Sequence, residues 1–351
     1  MNRKEKKGGQ LIKAWKYSSV DSNIKMKSSS GGAFYDIAYS FIKDGGYICG
    51  CVWNENLQAQ HIISNKVEDL EKMQGSKYVQ SEIGNVFNEV VSKLKYGQKV
   101  LFSGTPCQVT ALHRIICEIQ NMELLENLIT IAILCHGVAS PGSWESFKKW
   151  IEEKNQARLI DVNFRDKSKE GYKKTYCRYE FDSGKVLYTP TYLPTSKYVE
   201  ATLVYNLAIR DSCTHCDCKG INGACDIVLG DWNEDYRGDG ALGTSCIVAF
   251  TEKGKTKIEK VLCKIKSIDY DEIVSKNCMI QESTKRNPLK DEFLNRMWDI
   301  AFWNKVEILY PPKYKLKKVL VKLGLYDVLR KMYLVGKNRE DKSIKNKCMH
   351  L

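Results

Sequence analysis

The chain has 351 residues, 43% of them hydrophobic and 28% charged, which excludes a disordered, collagen-like or coiled-coil protein and leaves ordinary globular material. Its 55 basic and 42 acidic residues give a net charge of +13, and the excess sits at the two ends. Residues 313–351 hold 12 Lys or Arg against Asp327, Glu340 and Asp341, and residues 1–10 carry Arg3, Lys4, Lys6 and Lys7 against Glu5, so the nearly neutral body argues against a nucleic-acid partner.

Three parts are expected: a polar leader over 1–27, one main domain over 28–312, and a basic amphipathic tail over 313–351. The leader shows no secretory signal, and the longest apolar run, Leu128 to Cys135, is far shorter than the about 20 residues of a membrane helix. The expected compartment is therefore the cytoplasm.

Ser28-Ser29-Ser30-Gly31-Gly32 opens a helix from Ser30 to Lys43, with Phe34, Ile37, Ala38 and Phe41 at helical spacing. Tyr47 to Trp53 reads as a strand. Asn65 with Glu68 suggests a capping box for a short helix ending at Met73, and Ile83 to Leu94 reads as an amphipathic helix. A strand over Lys99 to Phe102 then runs into Thr105-Pro106-Cys107-Gln108. Thr105 suits the N-cap, Pro106 the first helical position and Gln108 the capping box, so Cys107 falls in a first helical turn.

The pattern repeats with strand Leu128 to Leu134, the turn Cys135-His136-Gly137, and a helix from Ser140-Pro141 carrying Trp144, Phe147 and Trp150. Such alternation predicts an α/β fold: a largely parallel sheet with flanking helices, whose ligands bind beyond the carboxyl ends of the strands. A β-rich insertion follows over Asp161 to Tyr188. A helix around Tyr198 to Ile209 leads into the cysteine-rich loop 210–225, and residues 243–310 alternate strand and helix again. In the tail, Lys315 to Val335 reads as an amphipathic helix suited to an anionic membrane surface, to docking on a partner or to packing on the body.

Fourteen cysteines are the strongest compositional feature, and without a secretory signal they favour metal or redox chemistry over disulfides. Cys49, Cys51, Cys117, Cys177, Cys246 and Cys263 are expected as small buried hydrophobes. Cys213-Thr-His-Cys216-Asp-Cys218, with Cys225 beyond, has ligand spacing for either tetrahedral zinc or an iron-sulfur cluster. Cys107 at a helix N-terminus and Cys135 at a strand end would extend such a centre to the sheet. The Ser/Gly helix entry is a candidate phosphate cradle or a plain helix cap, with Gly75-Ser76-Lys77-Tyr78-Val79-Gln80-Ser81 either a cationic and aromatic wall for a planar ligand or a surface loop before a helix. His136 is a candidate proton relay or a structural imidazole; His215 also adjoins a candidate ligand, and Arg165-Asp166-Lys167 is either a holder of an anionic substrate or a solvated turn, with the turn preferred.

Taken in order, SSSGGAF, GSKYVQS, FSGTPCQ, CHGVASP, NFRDK, RDSCTHC and DIVLGDW resemble the beta subunits of the coenzyme F420 hydrogenase/dehydrogenase family, from Ser28 to Trp232, with an echo at Ser283 to Phe293. The resemblance implies an oxidoreductase holding FAD beside a [4Fe-4S] cluster. It implies Ser29, Ser30, Gly31, Gly32, Gly75, Ser76, Lys77 and Tyr78 at the flavin, and Cys107, Cys135, Cys213 and Cys216 as cluster ligands, with Cys218 and Cys225 as extra thiols or local substitutes. Many relatives begin with a ferredoxin-like run of cysteines, whereas the first here is Cys49. Electrons are therefore expected to pass to or from a separate electron-transfer protein, a ferredoxin or an iron-sulfur subunit. Similar members occur among bacterial surface-polysaccharide functions, which sets a glycan-related substrate beside a deazaflavin and a place at the inner face of the membrane beside the open cytoplasm. The rival readings are a zinc-stabilised scaffold and a flavin-free transferase.

Overall fold

The computed structural model describes residues 12–191, 196–220, 225–232 and 241–312, together with 316, 319, 320, 323 and 325. Most of the basic tail lies outside these residues, as does the greater part of the helix expected from Lys315 to Val335. No helix among the described residues is long and apolar enough to cross a membrane.

The fold is α/β. Eleven described strands, numbered in chain order, form two sheets. The first contains β1 (Lys13–Tyr17), β2 (Tyr47–Trp53), β3 (Ala59–Ser64), β4 (Val100–Gly104), β5 (Leu128–Ile133), β9 (Ile227–Trp232), β10 (Thr244–Ala249) and β11 (Lys266–Ile268), and the second contains β6 (Leu159–Asp166), β7 (Tyr176–Phe181) and β8 (Val186–Pro190). The eight-stranded order is β11-β1-β10-β9-β5-β4-β2-β3. Its centre, β2-β4-β5-β9, is parallel throughout. Antiparallel strands flank that centre, β3 on one side and β10, β1 and β11 on the other. Lys13–Tyr17, inside the expected leader, is thus a strand within the main sheet.

Helices cover both faces. One face packs against α4 (Val86–Lys95), α5 (Pro106–Glu118) and α9 (Tyr270–Lys276), through Val90, Leu94, Val109, Leu112, Ile116 and Ile273. The other packs against α2 (Ala33–Lys43), α3 (Val67–Met73) and α8 (Glu252–Val261), through Ile37, Phe41, Leu70 and Ile258. The remaining helices are α1 (Ser22–Lys27), α6 (Pro141–Asn155), α7 (Lys197–Val199), α10 (Lys290–Arg296) and α11 (Ile300–Lys305). The expected β-rich insertion is the antiparallel sheet β6-β7-β8. It encloses an aromatic core with α6 and α11, in which Phe147 meets Trp150, Tyr179, Tyr198 and Trp303.

Several local expectations shift. Helix α3 is capped at Lys66 without a side-chain bond, so Asn65 forms no capping box there. The helix expected over Tyr198 to Ile209 is only α7, continued by a wider π-type turn over Glu200–Val204 that ends where Asn206 takes a left-handed φ of 55°. Helix α4 begins at Val86 rather than Ile83. Of the cysteines expected in the core, Cys49, Cys177 and Cys246 are buried, Cys51 and Cys117 are half-buried, and Cys263 is exposed because it follows the end of α8.

Candidate functional site

The carboxyl ends of β4, β5 and β9 lie along one edge of the sheet, because these strands are parallel. Strand β4 runs directly into α5, whose capping box joins Thr105 and Gln108 around Pro106, as the sequence predicts. This places Cys107 in the first turn of α5. Strand β5 ends two residues before Cys135. The third contribution is a 3-10 turn, Asp211–His215, which carries Cys213 and precedes Cys216.

Backbone bridges bring these segments into register. Val79 pairs with Ala139 and Ala139 with Ile209, so GSKYVQS, CHGVASP and the entry to the cysteine loop run side by side. Arg210 N–H donates to the Val138 carbonyl at 3.0 Å. Gly137 permits the close approach: its φ is +146°, and a Cβ there would lie 3.0 Å from Ile209 Cγ2 and 3.2 Å from Cys213 Cβ.

The result is one small cavity lined by Cys107, Cys135, Cys213 and Cys216 with Thr105, Pro106, Gly137, Val138 and Lys219. A neighbouring cavity is lined by Cys135, Cys218 and Cys225 with Lys219, Met279 and Ile280. Of the cysteines of the loop, Cys213 and Cys216 line the first cavity and Cys218 and Cys225 the second. Among the described residues, no three His, Cys, Asp or Glu side chains are grouped to hold a single metal ion. A [4Fe-4S] cluster asks for a different arrangement, since each of its four thiolates binds a separate iron, and four thiols drawn from three segments around a common space suit it. Burial pushes the Cys135 thiol up to about 12 against the opposing pull of Lys219. Burial pushes Cys225 up to about 12 as well, helped by Asp226. A thiolate at Cys135 thus requires positive charge beside it.

The segment Glu282–Lys290, where the sequence shows only an echo, clamps this loop. Ser283 Oγ accepts from Cys216 N–H at 3.0 Å, and Lys219 Nζ donates to the Glu282 carbonyl at 2.7 Å. Lys290 and Arg286 both pair with Asp211, at 2.6 and 3.3 Å. His136 Nε2 lies 2.7 Å from Asn206 Oδ1 and 3.1 Å from Thr284 Oγ1, tying the Cys135 turn to both. Burial lowers its pKa, with Asn206 opposing, which favours the neutral ring. His215, in contrast, is exposed.

A chain of bonds supports Cys107 from below. Buried His61 donates from Nε2 to the Ser103 carbonyl at 3.0 Å, so its Nδ1 accepts from Ser81 Oγ at 2.8 Å. Ser81 in turn accepts from Gln108 Nε2 at 2.9 Å. Gln108 Oε1 accepts from Thr105 N–H at 2.9 Å, and Thr105 Oγ1 lies 3.1 Å from Cys107 Sγ. His61 and Asn206 fall in no motif of the sequence, because each reaches the site through tertiary contacts, while Ser81 lies in GSKYVQS and Thr284 in the echo at Ser283 to Phe293 without a role being marked for either.

Farther along the same edge, over β9, β10 and β1, sits a second polar cluster. Ser29 and Ser76 hydroxyls are 2.7 Å apart, and Gln74 Nε2 donates to Ser28 Oγ at 2.9 Å, so the Ser/Gly entry and the Gly75 loop do meet. Their inward members are already engaged. Ser30 Oγ donates to the Thr244 carbonyl at 2.6 Å, and Gly31 N–H donates to Ser245 Oγ at 3.0 Å. A Cβ on Gly31 would stand 2.4 Å from the Tyr17 carbonyl oxygen, and one on Gly32 would stand 2.9 Å from Ile24, so the chain itself fills that space. Lys77 Nζ donates to the carbonyls of Lys72, Gln74 and Gly75, and burial lowers its pKa to about 8. Ser29, Gly75, Ser76 and Tyr78 remain half-buried at the junction.

Arg165-Asp166-Lys167 is not a solvated turn, since these residues are only 6%, 8% and 1% exposed. Arg165 pairs with Asp231 at 2.8 Å and donates to Tyr78 Oη at 3.3 Å. Lys167 Nζ donates to the carbonyls of Lys25, Ser30 and Leu242 at 2.6, 2.9 and 2.5 Å. NFRDK, GSKY, SSSGG and GDW are therefore parts of one bonded wall.

Fold and site together define an α/β protein with a four-thiol cavity and an ion-paired polar wall on the carboxyl edge of its parallel strands. Residues 97–276, half of the chain, match the family model described as the C terminus of the coenzyme F420 hydrogenase/dehydrogenase beta subunit. The chain belongs to this family. An F(420)H(2) dehydrogenase subunit, from Methanosarcina mazei, is 26% identical over 237 residues, which are 65% of this chain and 60% of that protein. The chain thus spans less than two thirds of that relative's length. Among solved structures, the xenon-derivatised F420-reducing NiFe hydrogenase complex from Methanosarcina barkeri contains a chain that matches with a TM-score of 0.52 and 16% identity, covering 85% of this chain and 91% of that one. At that identity the likeness is one of fold.

Proposed function

We propose that this chain is the flavin and [4Fe-4S] component of an oxidoreductase, passing electrons between a separate electron-transfer protein and a hydride-carrying substrate. The observation that carries the reading is the single cavity lined by Cys107, Cys135, Cys213 and Cys216, supplied by three distant segments. These four residues would ligate the cluster. FAD is assigned less closely: Ser29, Gly75, Ser76 and Tyr78 are half-buried at the junction, whereas Ser30, Gly31, Gly32 and Lys77 hold that junction in shape through their own chain contacts.

When bound, a flavin supplies hydride exchange and a cluster supplies one-electron transfer. The chain's own residues position and insulate. His136 fixes the Cys135 turn through Asn206 and Thr284, and is assigned to positioning before any proton transfer. Arg165 and Asp231 hold Tyr78 at the junction. The substrate class is a reduced or oxidised deazaflavin, as the name of the Methanosarcina mazei relative suggests, with a glycan-linked hydride acceptor as the alternative. The partner is a ferredoxin or an iron-sulfur subunit. The compartment is the cytoplasm, with the inner face of the membrane as the alternative.

The test is protein purified without oxygen, with iron, sulfide, zinc and released flavin counted on one sample. The expected result is flavin with about four irons and four sulfides per chain. Zinc alone, in a colourless protein, would overturn the reading.

A further inference from the structure

We propose that Lys219 is the buried counter-charge of the four-cysteine site and raises the reduction potential of the centre held there. This rests on the reading that Cys107, Cys135, Cys213 and Cys216 hold a [4Fe-4S] cluster. Lys219 is 5% exposed and lines both the four-cysteine cavity and the neighbouring one. Its Nζ donates to the Glu282 carbonyl at 2.7 Å, and among the described residues no carboxylate pairs with it. Among the described residues, the acids of this region are engaged or turned outward. Asp211 takes Lys290 and Arg286, buried Asp226 accepts from Thr130 and Thr251 and faces Lys253 at 3.6 Å, and Asp217 is exposed.

A buried ammonium held only by a carbonyl is unfavourable unless negative charge is brought to it. Four thiolates bring that charge. On reduction one electron enters the centre while no bond forms or breaks, so the site becomes one unit more negative beside a fixed positive charge. In a poorly solvated pocket the ammonium therefore favours the reduced form. The other cations near the thiols are differently placed: Arg114 is exposed, while Lys290 is neutralised by Asp211.

The experiment is a dithionite titration of the full-length protein, reconstituted without oxygen, comparing wild type with Lys219→Gln and Lys219→Arg by visible bleaching and paramagnetic resonance. Lys219→Gln should keep about four irons and shift the reduction equilibrium at least tenfold toward the oxidised form, which is 59 mV for a one-electron couple. Lys219→Arg should stay near wild type. A Lys219→Gln protein with full iron and the wild-type potential overturns the proposal. If Lys219→Gln loses its iron, Lys219→Arg decides: retained iron at the wild-type potential supports a role for charge, and loss of iron there too shows that the residue acts only by packing. Wild-type protein that binds neither iron nor sulfide overturns the cluster reading itself.

Discussion

The two clusters on the carboxyl edge of the sheet are built by opposite means. At the cysteine end, thiols gather around a cavity while the bonding is done by their neighbours: Ser283 on the Cys216 backbone, Asn206 and Thr284 on His136, and Lys290 on Asp211. At the hydroxyl end the chemical groups bond one another, Lys167 to three carbonyls and Arg165 to Asp231 and Tyr78. The first end is a socket held from outside, and the second is a self-satisfied wall. A socket tolerates loss of a supporting contact better than loss of a ligand, whereas a wall whose members are each other's partners fails through packing and unpaired charge.

The largest effect separating them is a complete loss at the socket. Cys135→Ser should reduce bound iron from about four atoms per chain to less than one, while Cys225→Ser, whose side chain lines only the neighbouring cavity, should retain it. Iron and sulfide assays on folded, oxygen-free protein measure this. Retention in Cys107→Ser and Cys135→Ser with loss in Cys218→Ser and Cys225→Ser would move the centre into the local loop and undo the contrast.

At the wall, the response should be structural. Gly31→Ala forces a Cβ within 2.4 Å of the Tyr17 carbonyl oxygen and 2.6 Å of the Ser245 nitrogen, both backbone atoms of the sheet. A loss of about 3 kcal/mol is expected, at the upper end of ordinary overpacking. Gly75→Ala meets nothing closer than 4.0 Å and carries only the strain of a φ of 82°, which is about 1 kcal/mol. Urea unfolding of the two variants tests the difference. Equal losses would mean that the backbone around Gly31 shifts to admit the methyl group and that the crowding there is relieved.

The same contrast explains what the sequence discloses. Thr105-Pro106-Cys107-Gln108 is legible because a capping box is local, every partner lying within four residues. The parallel centre is legible from strands that alternate with helices. Lys13–Tyr17 escapes notice because Ala14 and Trp15 are both buried, one on each covered face of the sheet, so no alternation marks it. Arg165-Asp166-Lys167 reads as solvent-facing because charges usually are. Its partners, Asp231 and the carbonyls of Lys25, Ser30 and Leu242, come from distant segments. The cysteine spacing points to a centre, and the family motifs point to Cys107 and Cys135, but the clamp at Glu282–Lys290 shows in the sequence only as the echo at Ser283 to Phe293, with no residue type or spacing that marks its role.

The socket's support also predicts a dependence on pH. Burial holds the His61 pKa at about 4, against an ordinary value of 6.5. Between those values the unfolded chain binds more protons than the folded one, so the stability from a neutral His61 is complete above about pH 6.5 and is lost as pH falls toward 4. The whole difference is up to about 3 kcal/mol. Wild type should therefore lose stability more steeply than His61→Gln over this window, measured by urea midpoints at matched ionic strength. Parallel curves would show that the chain from His61 through Ser81 to Gln108 does not carry this load.

The smallest expected effect falls on the residue that joins that support to the thiol. Thr105 caps α5, and its hydroxyl stands 3.1 Å from Cys107 Sγ and 3.1 Å from Gln108 Oε1. Thr105→Ala should cost about 1 kcal/mol, the usual value of an N-cap, and Thr105→Ser should restore most of it because the hydroxyl returns. Iron content should hardly change in either variant, since Pro106 still starts the helix and Cys107 keeps its place in the first turn. The useful reading is the ratio of the two losses: a stability change with intact iron places Thr105 among the outside supports of the socket. Loss of iron in Thr105→Ala, recovered in Thr105→Ser, would make the hydroxyl a direct partner of the Cys107 sulfur, and the socket would then share the wall's habit of bonding its own chemical groups.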